Sequence, residues 1–258
     1  MPKTISVAIT GANGQLGQSL RSIQSQFPKL KLLFFDRSEL DITNPESVTS
    51  VFNHYTFDYI VNCAAYTNVA AAEHDKEAAM LLNCSAVGHL AAAANDQNVF
   101  MVHISTDYVF DGTKLDPYLP SDKTNPINVY GKSKLLGEQL LSKQCEQYAI
   151  IRTSWVYSEF GSNFFTKVKS KADLGESLSI TNEYRGCPTY APDLAKYILD
   201  GINNENLPVG ISHFTGGQVM SWYDLAKKLL PNADIKMAPN EEEPQALKRP
   251  KNSALANL

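Results

Sequence analysis

Tyr130 and Lys134 are four residues apart, so on a helix their side chains share one face. A lysine ammonium beside a tyrosine hydroxyl favours the phenolate and is expected to lower the tyrosine pKa from its ordinary value of about 10. Such a tyrosine can transfer a proton near neutral pH. We predict that Tyr130 protonates a carbonyl oxygen, and that Thr106, at the end of a buried strand, hydrogen-bonds and polarises the same oxygen. By itself this spacing is more often found in two unrelated surface residues. The elements around Tyr130 and Lys134 therefore decide whether the pair is catalytic.

A glycine-rich turn near the N-terminus points to the second reactant. The run Ile5–Thr10 is mostly apolar and predicts a buried strand. Gly11, Gly14 and Gly17 then allow a tight turn that brings backbone N–H groups close to an anion before a helix begins near Gln15. The spacing is GxxGxxG rather than GxGxxG, but the strand before it and the helix after it are typical of a dinucleotide-binding βαβ unit. The alternative is a glycine-rich turn that binds no ligand.

The end of the second apolar run, Leu32–Phe35, bears on the choice of dinucleotide. Asp36 follows this run about 20 residues after the last glycine, where an acid usually contacts the adenosine ribose and favours NAD. Arg37 stands beside it and can meet a 2′-phosphate, which favours NADP. The expected cofactor is therefore NADPH or NADH.

Composition excludes several classes of protein. The 258 residues are 43% hydrophobic, and the formal charge of -4 with scattered Lys and Arg argues against a nucleic-acid binder. The four cysteines have irregular spacing, so neither a zinc site nor a disulfide framework is expected. The N-terminus leads directly into a strand, and no apolar run approaches the ~18 residues that span a bilayer. We expect a cytoplasmic protein without membrane contact, we predict no metal site, and we leave a magnesium requirement and a homodimer open.

Strands and helices alternate along the first part of the chain. Further strands are predicted at Tyr59–Cys63, Val99–Ile104 and Ala149–Thr153, and a long helix at Asp75–Ala94. This rhythm indicates an α/β fold with a doubly wound, Rossmann-like parallel sheet. Residues 1–155 are predicted to form this domain, and residues 156–258 mainly a smaller C-terminal α/β substrate lobe from which some segments return to the sheet. Helices are predicted there at 162–172, 191–203 and 221–230, and Glu241-Glu242-Glu243 indicates a solvated acidic loop.

Longer motifs extend from the first strand to the last ten residues. They include Thr10–Gly17, Leu40-Asp41-Ile42, Asn62–Thr67, Ile104–Gly112, Tyr130–Lys134, Arg152–Tyr157, Gly186–Thr189, and Arg249-Pro250 followed by Asn252-Ser253. Together they resemble the extended branch of the short-chain dehydrogenase/reductase superfamily, and within it the dTDP-4-dehydrorhamnose reductase family. The resemblance implies reduction of the C4 ketone of a dTDP-linked 6-deoxyhexulose with NADPH or NADH, in the synthesis of surface polysaccharide.

The resemblance also assigns residues. It makes Thr106, Tyr130 and Lys134 the catalytic trio. Cofactor contacts are implied for Gly11, Asn13, Gly14, Gln15, Leu16, Asp41, Ile42, Ala64, Ala65, Tyr66, Tyr130 and Lys134, beside Asp36 and Arg37. Substrate contacts are expected from Thr106, Asp107, Tyr108, Trp155 and Arg249, with the Arg249 guanidinium suited to the diphosphate.

Two polar or aromatic residues, Trp155 and Asn83, each have two interpretations, and a third, His103, has one. Trp155 either forms a wall of the substrate pocket or is a half-buried core residue. Asn83 lies within a predicted helix, where it either has a buried polar partner near the active site or caps a kink. His103 lies in a buried strand and is interpreted as structural.

Two departures from the family pattern leave other functions open. Ala70 stands where the family usually has an acid, and residues 182–186 differ from its usual Asp-Gln motif. Both positions lie near the expected substrate pocket. The alternatives are a related nucleotide-sugar reductase or epimerase, and a non-catalytic dinucleotide-binding protein like the regulatory subunit of methionine adenosyltransferase.

Overall fold

The computed structural model describes residues 4–238 and 247–257, so the acidic run at 241–243 lies outside the described residues. The strands are β1 (Ile5–Thr10), β2 (Leu30–Phe35), β3 (Tyr59–Asn62), β4 (Phe100–Thr106), β5 (Tyr148–Thr153), β6 (Val156–Tyr157), β7 (Leu178–Ile180), β8 (Arg185–Gly186), β9 (Thr189–Tyr190), β10 (Gly210–His213), β11 (Met220–Ser221) and β12 (Ile235–Met237). The helices are α1 (Gln15–Ile23), α2 (Pro45–His54), α3 (Val69–His74), α4 (Lys76–Met80), α5 (Ala86–Asp96), α6 (Val129–Gln144), α7 (Phe164–Asp173), α8 (Ala191–Asn203) and α9 (Trp222–Leu229).

The central sheet has six parallel strands in the order β10-β5-β4-β3-β1-β2. Its strands are apolar on both faces because helices cover both. Leu20 of α1 and Ile198 of α8 pack on one face, and Val51 of α2, Leu90 of α5 and Leu141 of α6 pack on the other. The predicted doubly wound α/β fold is confirmed.

The strand order reverses beside β1. From β1 the chain crosses to β2 on one side, and the next strand, β3, pairs with β1 on the other side. In such sheets, ligands bind outside the carboxyl ends of the strands at this switch point. The glycine turn after β1 and the segment after β3 therefore meet where a dinucleotide is expected.

The C-terminal part contributes to two cores. Strand β10 extends the central sheet and α8 packs beside α1, whereas Val168 of α7, Ile180 of β7 and Ala226 of α9 form a separate small cluster. The three C-terminal segments with helical periodicity form α7, α8 and α9.

The long helix predicted at Asp75–Ala94 is interrupted. One π-helical turn, Leu81–Ser85, separates α4 from α5 and contains Asn83. Such turns are frequent at functional sites.

Within residues 4–238 and 247–257, no helix has the length and apolar character needed to cross a membrane.

Candidate active site

The glycine turn packs against its neighbours without room for side chains. Gly11 has a φ of +64°, and a Cβ atom there would lie 2.7 Å from the backbone nitrogen of Ala64. A Cβ atom at Gly17 would lie 2.5 Å from Gly11 O. These contacts bring the turn, α1 and the segment after β3 into one cradle.

The start of α1 faces this cradle with unused hydrogen-bond donors. Gly14 is the N-cap and supplies no side-chain hydrogen bond to the first turn, which contains no acidic residue. Free N–H groups and the positive end of the helix dipole suit a diphosphate. The cradle therefore fits a dinucleotide, and the predicted contact residues Asn13, Gln15 and Leu16 belong to it.

The rim beyond β2 is shaped by two aspartates. Asp36 Oδ1 accepts hydrogen bonds from the backbone nitrogen and hydroxyl of Ser38 at 2.8 and 2.6 Å, and these bonds lower the Asp36 pKa. Asp41 Oδ1 accepts from Thr43 Oγ1 at 2.6 Å, and its Oδ2 lies 3.5 Å from Nε of Arg37. The Arg37 side chain is 84% exposed, so its guanidinium remains accessible to a phosphate.

Asn83 fixes the segment after β3. Its side chain accepts from Tyr66 N at 2.8 Å, donates to Tyr66 O at 3.0 Å and donates to Ser133 Oγ at 3.0 Å. Asn83 is 1% exposed. The interpretation as a buried polar partner near the site is confirmed, and the π-helical turn aims the side chain there. Ala64, Ala65 and Tyr66 are held beside the glycine turn, while Ile42 is buried in the core below Asp41.

Thr106 and Tyr130 meet at the carboxyl end of β4. Thr106 is a close neighbour of the Tyr130 phenol, and Thr106 Oγ1 lies 3.0 Å from Asp107 Oδ1 and accepts from Tyr108 N at 3.1 Å. The close approach requires Gly131, where a Cβ atom would overlap Tyr108 O. Both hydroxyl-bearing side chains therefore lie at the same end of the strand.

The predicted lowering of the Tyr130 pKa is wrong for this structure. Burial raises the pKa of Tyr130 to about 12; the nearby Thr106 hydroxyl acts to lower the pKa, and the Asp107 charge raises it further. Lys134 does not contact the phenol. Its Nζ donates to Ile104 O at 2.7 Å and lies 3.2 Å from His103 Nε2. The four-residue spacing gives a shared helix face, but the lysine amine reaches past the phenol to β4.

Asp107 is an acidic group beside the two hydroxyls. It is 3% exposed, and Ser154 Oγ donates to its Oδ2 at 2.9 Å. Burial raises the Asp107 pKa to about 6, against the lowering effect of hydrogen bonds from Ser253, Ser154 and Thr106. Asp107 is thus enclosed by polar side chains that sequence spacing could not bring together.

A cavity of about 820 Å³ opens beside the small C-terminal core. Its lining includes Trp222, Tyr184, Arg249 and the two α7 lysines, Lys167 and Lys171. This positive and aromatic lining suits a nucleoside diphosphate.

Trp155 lies half-buried behind the cavity. Its ring stacks on Trp222 with a centroid distance of 3.6 Å and an interplanar angle of 5°. Burial raises the pKa of Tyr108 and the nearby Arg249 guanidinium opposes this shift, while the Tyr108 ring lies edge-on to the Tyr130 ring at 5.7 Å. The substrate candidates thus form a path from the cavity to the phenol.

Sequence reasoning missed a buried ion pair below the site. Arg152 Nη2 lies 2.7 Å from Glu138 Oε2, and Ser105 Oγ donates to Glu138 Oε1. Arg152 Nη1 also donates to Pro120 O at 3.3 Å, which anchors the loop after β4. No pattern marks this pair, because its members come from different elements.

Ala70, the first of the two departures from the family pattern, is exposed. Ala70 lies on α3, whereas Glu73 on the same helix accepts from Val129 N at 2.7 Å and so holds the start of α6.

Among the described residues, no group of three or more His, Cys, Asp or Glu side chains could hold a metal ion.

The chain matches known proteins along almost its whole length. The family model described as RmlD substrate binding domain matches residues 5–258. A dTDP-4-dehydrorhamnose reductase of Aggregatibacter actinomycetemcomitans is 39% identical over 261 residues, which cover 96% of this chain and 89% of that protein. The protein of the same name from Escherichia coli K12 is 34% identical, with coverage of 97% and 89%.

Solved structures agree with these matches. A dTDP-4-dehydrorhamnose reductase from Bacillus anthracis in complex with NADP superposes with a TM-score of 0.93 at 34% identity, covering 99% of this chain and 91% of that one. A second, from Clostridium acetobutylicum, has a TM-score of 0.91 at 36% identity, with coverage of 98% and 90%.

Proposed function

Because this chain belongs to the RmlD substrate binding domain family, we propose that it reduces the C4 ketone of dTDP-4-dehydrorhamnose to give dTDP-L-rhamnose. It is an NADP-dependent oxidoreductase of the dTDP-4-dehydrorhamnose reductase type. The observation that carries the assignment is the meeting of the Thr106 and Tyr130 hydroxyls at the carboxyl end of β4, beside a cradle that fits a dinucleotide.

Thr106, Tyr130 and Lys134 have separate roles in ketone reduction. When bound, NADPH supplies the hydride that reaches the ketone carbon. Thr106 donates a hydrogen bond to the carbonyl oxygen and polarises it. Tyr130 gives its phenolic proton to the same oxygen as negative charge develops there. The raised pKa of Tyr130, about 12, keeps the phenol protonated at neutral pH, as this direction of reaction requires.

Lys134 and the glycine turn hold the cofactor in this proposal. The N–H groups at the start of α1 bind its diphosphate, and Lys134 Nζ, anchored at Ile104 O, reaches its nicotinamide ribose. The cavity lined by Trp222, Lys167 and Arg249 takes the dTDP part of the substrate. The sugar ring then lies between this cavity and Tyr130.

A direct assay tests the proposal. The protein is mixed with NADPH and dTDP-4-dehydrorhamnose, and the absorbance of the reduced nicotinamide is followed. We expect it to fall in step with formation of dTDP-L-rhamnose. Binding of NADPH without any oxidation across a panel of nucleotide 4-keto sugars would refute reduction and favour the non-catalytic, dinucleotide-binding alternative. Turnover of a different sugar in that panel would correct the substrate alone.

We place the enzyme in the cytoplasm. All four cysteines are free thiols, in keeping with a reducing compartment. A homodimer is a separate proposal, which light scattering at several protein concentrations would test.

A further inference from the structure

A row of buried polar side chains runs from the glycine turn to Lys134. Thr10 Oγ1 donates to Asn62 Oδ1 at 2.7 Å, Asn62 Nδ2 lies 3.1 Å from His103 Nδ1, and His103 Nε2 lies 3.2 Å from Lys134 Nζ. None of the four is more than 2% exposed. With the side chains held in this order, the direction of each hydrogen bond can be worked out from donors and acceptors.

The amide of Asn62 fixes the first direction. Its Oδ1 accepts from the backbone nitrogen of Ala64 at 3.2 Å, and a backbone N–H can only donate. The other amide atom, Nδ2, therefore faces His103 and is itself only a donor. His103 Nδ1 must accept this bond, so it carries no proton.

The proton of neutral His103 then lies on Nε2, which faces Lys134. An ammonium has only donors, so an Nε2–H opposite an ammonium would place two donors against each other. A neutral amine has a lone pair that accepts the bond from Nε2, while one of its own N–H groups donates to Ile104 O at 2.7 Å. The hydrogen bond between His103 Nε2 and Lys134 Nζ can form only if Lys134 is neutral.

We propose that His103 is a positioning residue whose Nε2–H donates to the neutral amine of Lys134 in the cofactor-free protein, and that Lys134 takes up a proton when the nicotinamide ribose binds. This inference rests on the proposed function only in identifying the ribose as the group that Lys134 meets. The proton comes from solvent and forms the third N–H bond of the ammonium, which turns away from His103 Nε2 and donates to the ribose hydroxyls instead.

The charges around Lys134 agree with this assignment. Burial lowers the pKa of Lys134 to about 8, and the nearby Glu138 carboxylate raises it. That carboxylate is already paired with Arg152 of β5 at 2.7 Å. Burial holds the pKa of His103 well below its usual value, so the imidazole stays neutral. The remaining groups on this side, Tyr130 and Asp107, face the substrate end.

The tautomer of His103 can be observed directly. In ¹⁵N NMR spectra of the cofactor-free protein at about pH 9, above the lowered lysine pKa, we expect one ring with an unprotonated Nδ1 and a protonated Nε2. Its signals are assigned by their loss in His103→Gln. A protonated Nδ1, or an imidazolium, would overturn the proposal. This measurement needs neither substrate nor cofactor, so it is independent of whether the protein is a reductase.

Proton uptake provides the second measurement, and Asn62→Asp is the matched variant. Calorimetric titration with NADP⁺ at about pH 9, in buffers of different ionisation enthalpy, should show uptake of close to one proton by the unaltered protein, because most of its Lys134 starts neutral. In Asn62→Asp the new carboxylate requires a proton on His103 Nδ1, which leaves Nε2 to accept from an ammonium. Uptake should then fall towards zero, with Nδ1 protonated in the NMR spectrum.

Equal uptake in both proteins, or none in the unaltered one, would contradict the proposal. If Asn62→Asp does not fold, the His103 tautomer and the proton uptake measured on the unaltered protein still test the proposal. If the protein reduces the keto sugar but His103 shows the other tautomer, this inference is wrong and the proposed function still holds.

Discussion

Trp155 and Trp222 lie face to face, with ring centroids 3.6 Å apart and planes inclined by 5°. Trp155 follows β5 with a left-handed backbone, φ +48°, and Trp222 begins α9. The stack therefore joins the central sheet to the small C-terminal core. Trp222 also lines the cavity. Trp155 supports the Trp222 ring from behind, so a movement of Trp155 would move this part of the cavity wall.

Gly186→Ala should disturb this stack specifically. A Cβ atom at Gly186 would lie 2.5 Å from Cε2 of Trp155, so the ring must move. An aromatic pair contributes about 0.5–1.5 kcal/mol, so we expect KM for dTDP-4-dehydrorhamnose to rise up to about tenfold while the Kd of NADPH stays unchanged. Ser170→Ala, an exposed position on α7, is the control and should alter neither. An unchanged KM in Gly186→Ala would mean that the stack does not shape the substrate site.

Tyr130→Phe should abolish most of the catalysis and leave binding intact. The phenol is the only group assigned to give a proton, so kcat is expected to fall at least ~100-fold, the low end of what a general acid contributes. NADPH affinity, measured by fluorescence titration, should change little. Tyr197→Phe, on α8 at the opposite face of the sheet and stacked on Phe214, is the matched control with near-normal turnover. A normal rate in Tyr130→Phe would remove Tyr130 as the proton donor.

Features set by local sequence could be predicted, and they include the fold. The glycine turn, the alternation of strands and helices and the Ser105-Thr106 strand end depend on residues close together in the chain. They placed the sheet and the cradle correctly, and C-terminal segments with helical periodicity formed α7, α8 and α9.

Features set by tertiary contact could not be predicted. The pKa of Tyr130 was predicted to fall because the four-residue spacing shows that Lys134 is near. The spacing does not show that burial has the larger effect on this pKa, or that the Lys134 amine turns towards β4. Asn83 was recognised by its poor helix propensity, but its partners are 17 and 50 residues away in the chain. Trp222 and the Glu138–Arg152 pair had no local signal.

Arg37→Ala tests the cofactor preference. The exposed guanidinium lies 3.5 Å from Asp41 at the rim where a 2′-phosphate is expected. A hydrogen bond to a charged group contributes about 1.5–3 kcal/mol, so the variant should lose at least about tenfold in NADPH affinity and little in NADH affinity. Arg21→Ala is the control, because Arg21 lies over the Phe34 ring at 4.3 Å near the end of α1. Equal losses for both cofactors in Arg37→Ala would show that Arg37 does not contact the 2′-phosphate.

Glu138→Gln should destabilise the fold strongly. The side chains of Arg152 and Glu138 are 3% and 2% exposed, and removing one charge leaves the other buried without its partner. Breaking such a pair costs about 3–5 kcal/mol in free energy of unfolding. The exposed pair Lys169–Asp173 offers the control, since Asp173→Asn should cost under about 1 kcal/mol. Urea unfolding measures both, and similar losses would contradict a structural role for the buried pair.

Asp107→Asn should change how stability depends on pH. Burial raises the Asp107 pKa from 3.8 to about 6, so the folded state holds the proton more tightly than the unfolded state. The corresponding stability is present below about pH 4 and is lost as pH rises through about 6, at most roughly 3 kcal/mol. An asparagine does not titrate, so the free energy of unfolding of the variant should rise relative to the unaltered protein between about pH 4.5 and 7.5.

The measurement is urea unfolding at intervals across that range, and Asp111→Asn gives the opposite control. Hydrogen bonds from Thr113, Asn125 and Tyr118 lower the Asp111 pKa, so its stabilising effect is present above the unfolded pKa and is lost only as pH falls. The difference between Asp111→Asn and the unaltered protein should therefore stay level between about pH 4.5 and 7.5. A level difference for Asp107→Asn as well would show that Asp107 titrates normally and that the carboxylate beside Thr106 is charged throughout catalysis.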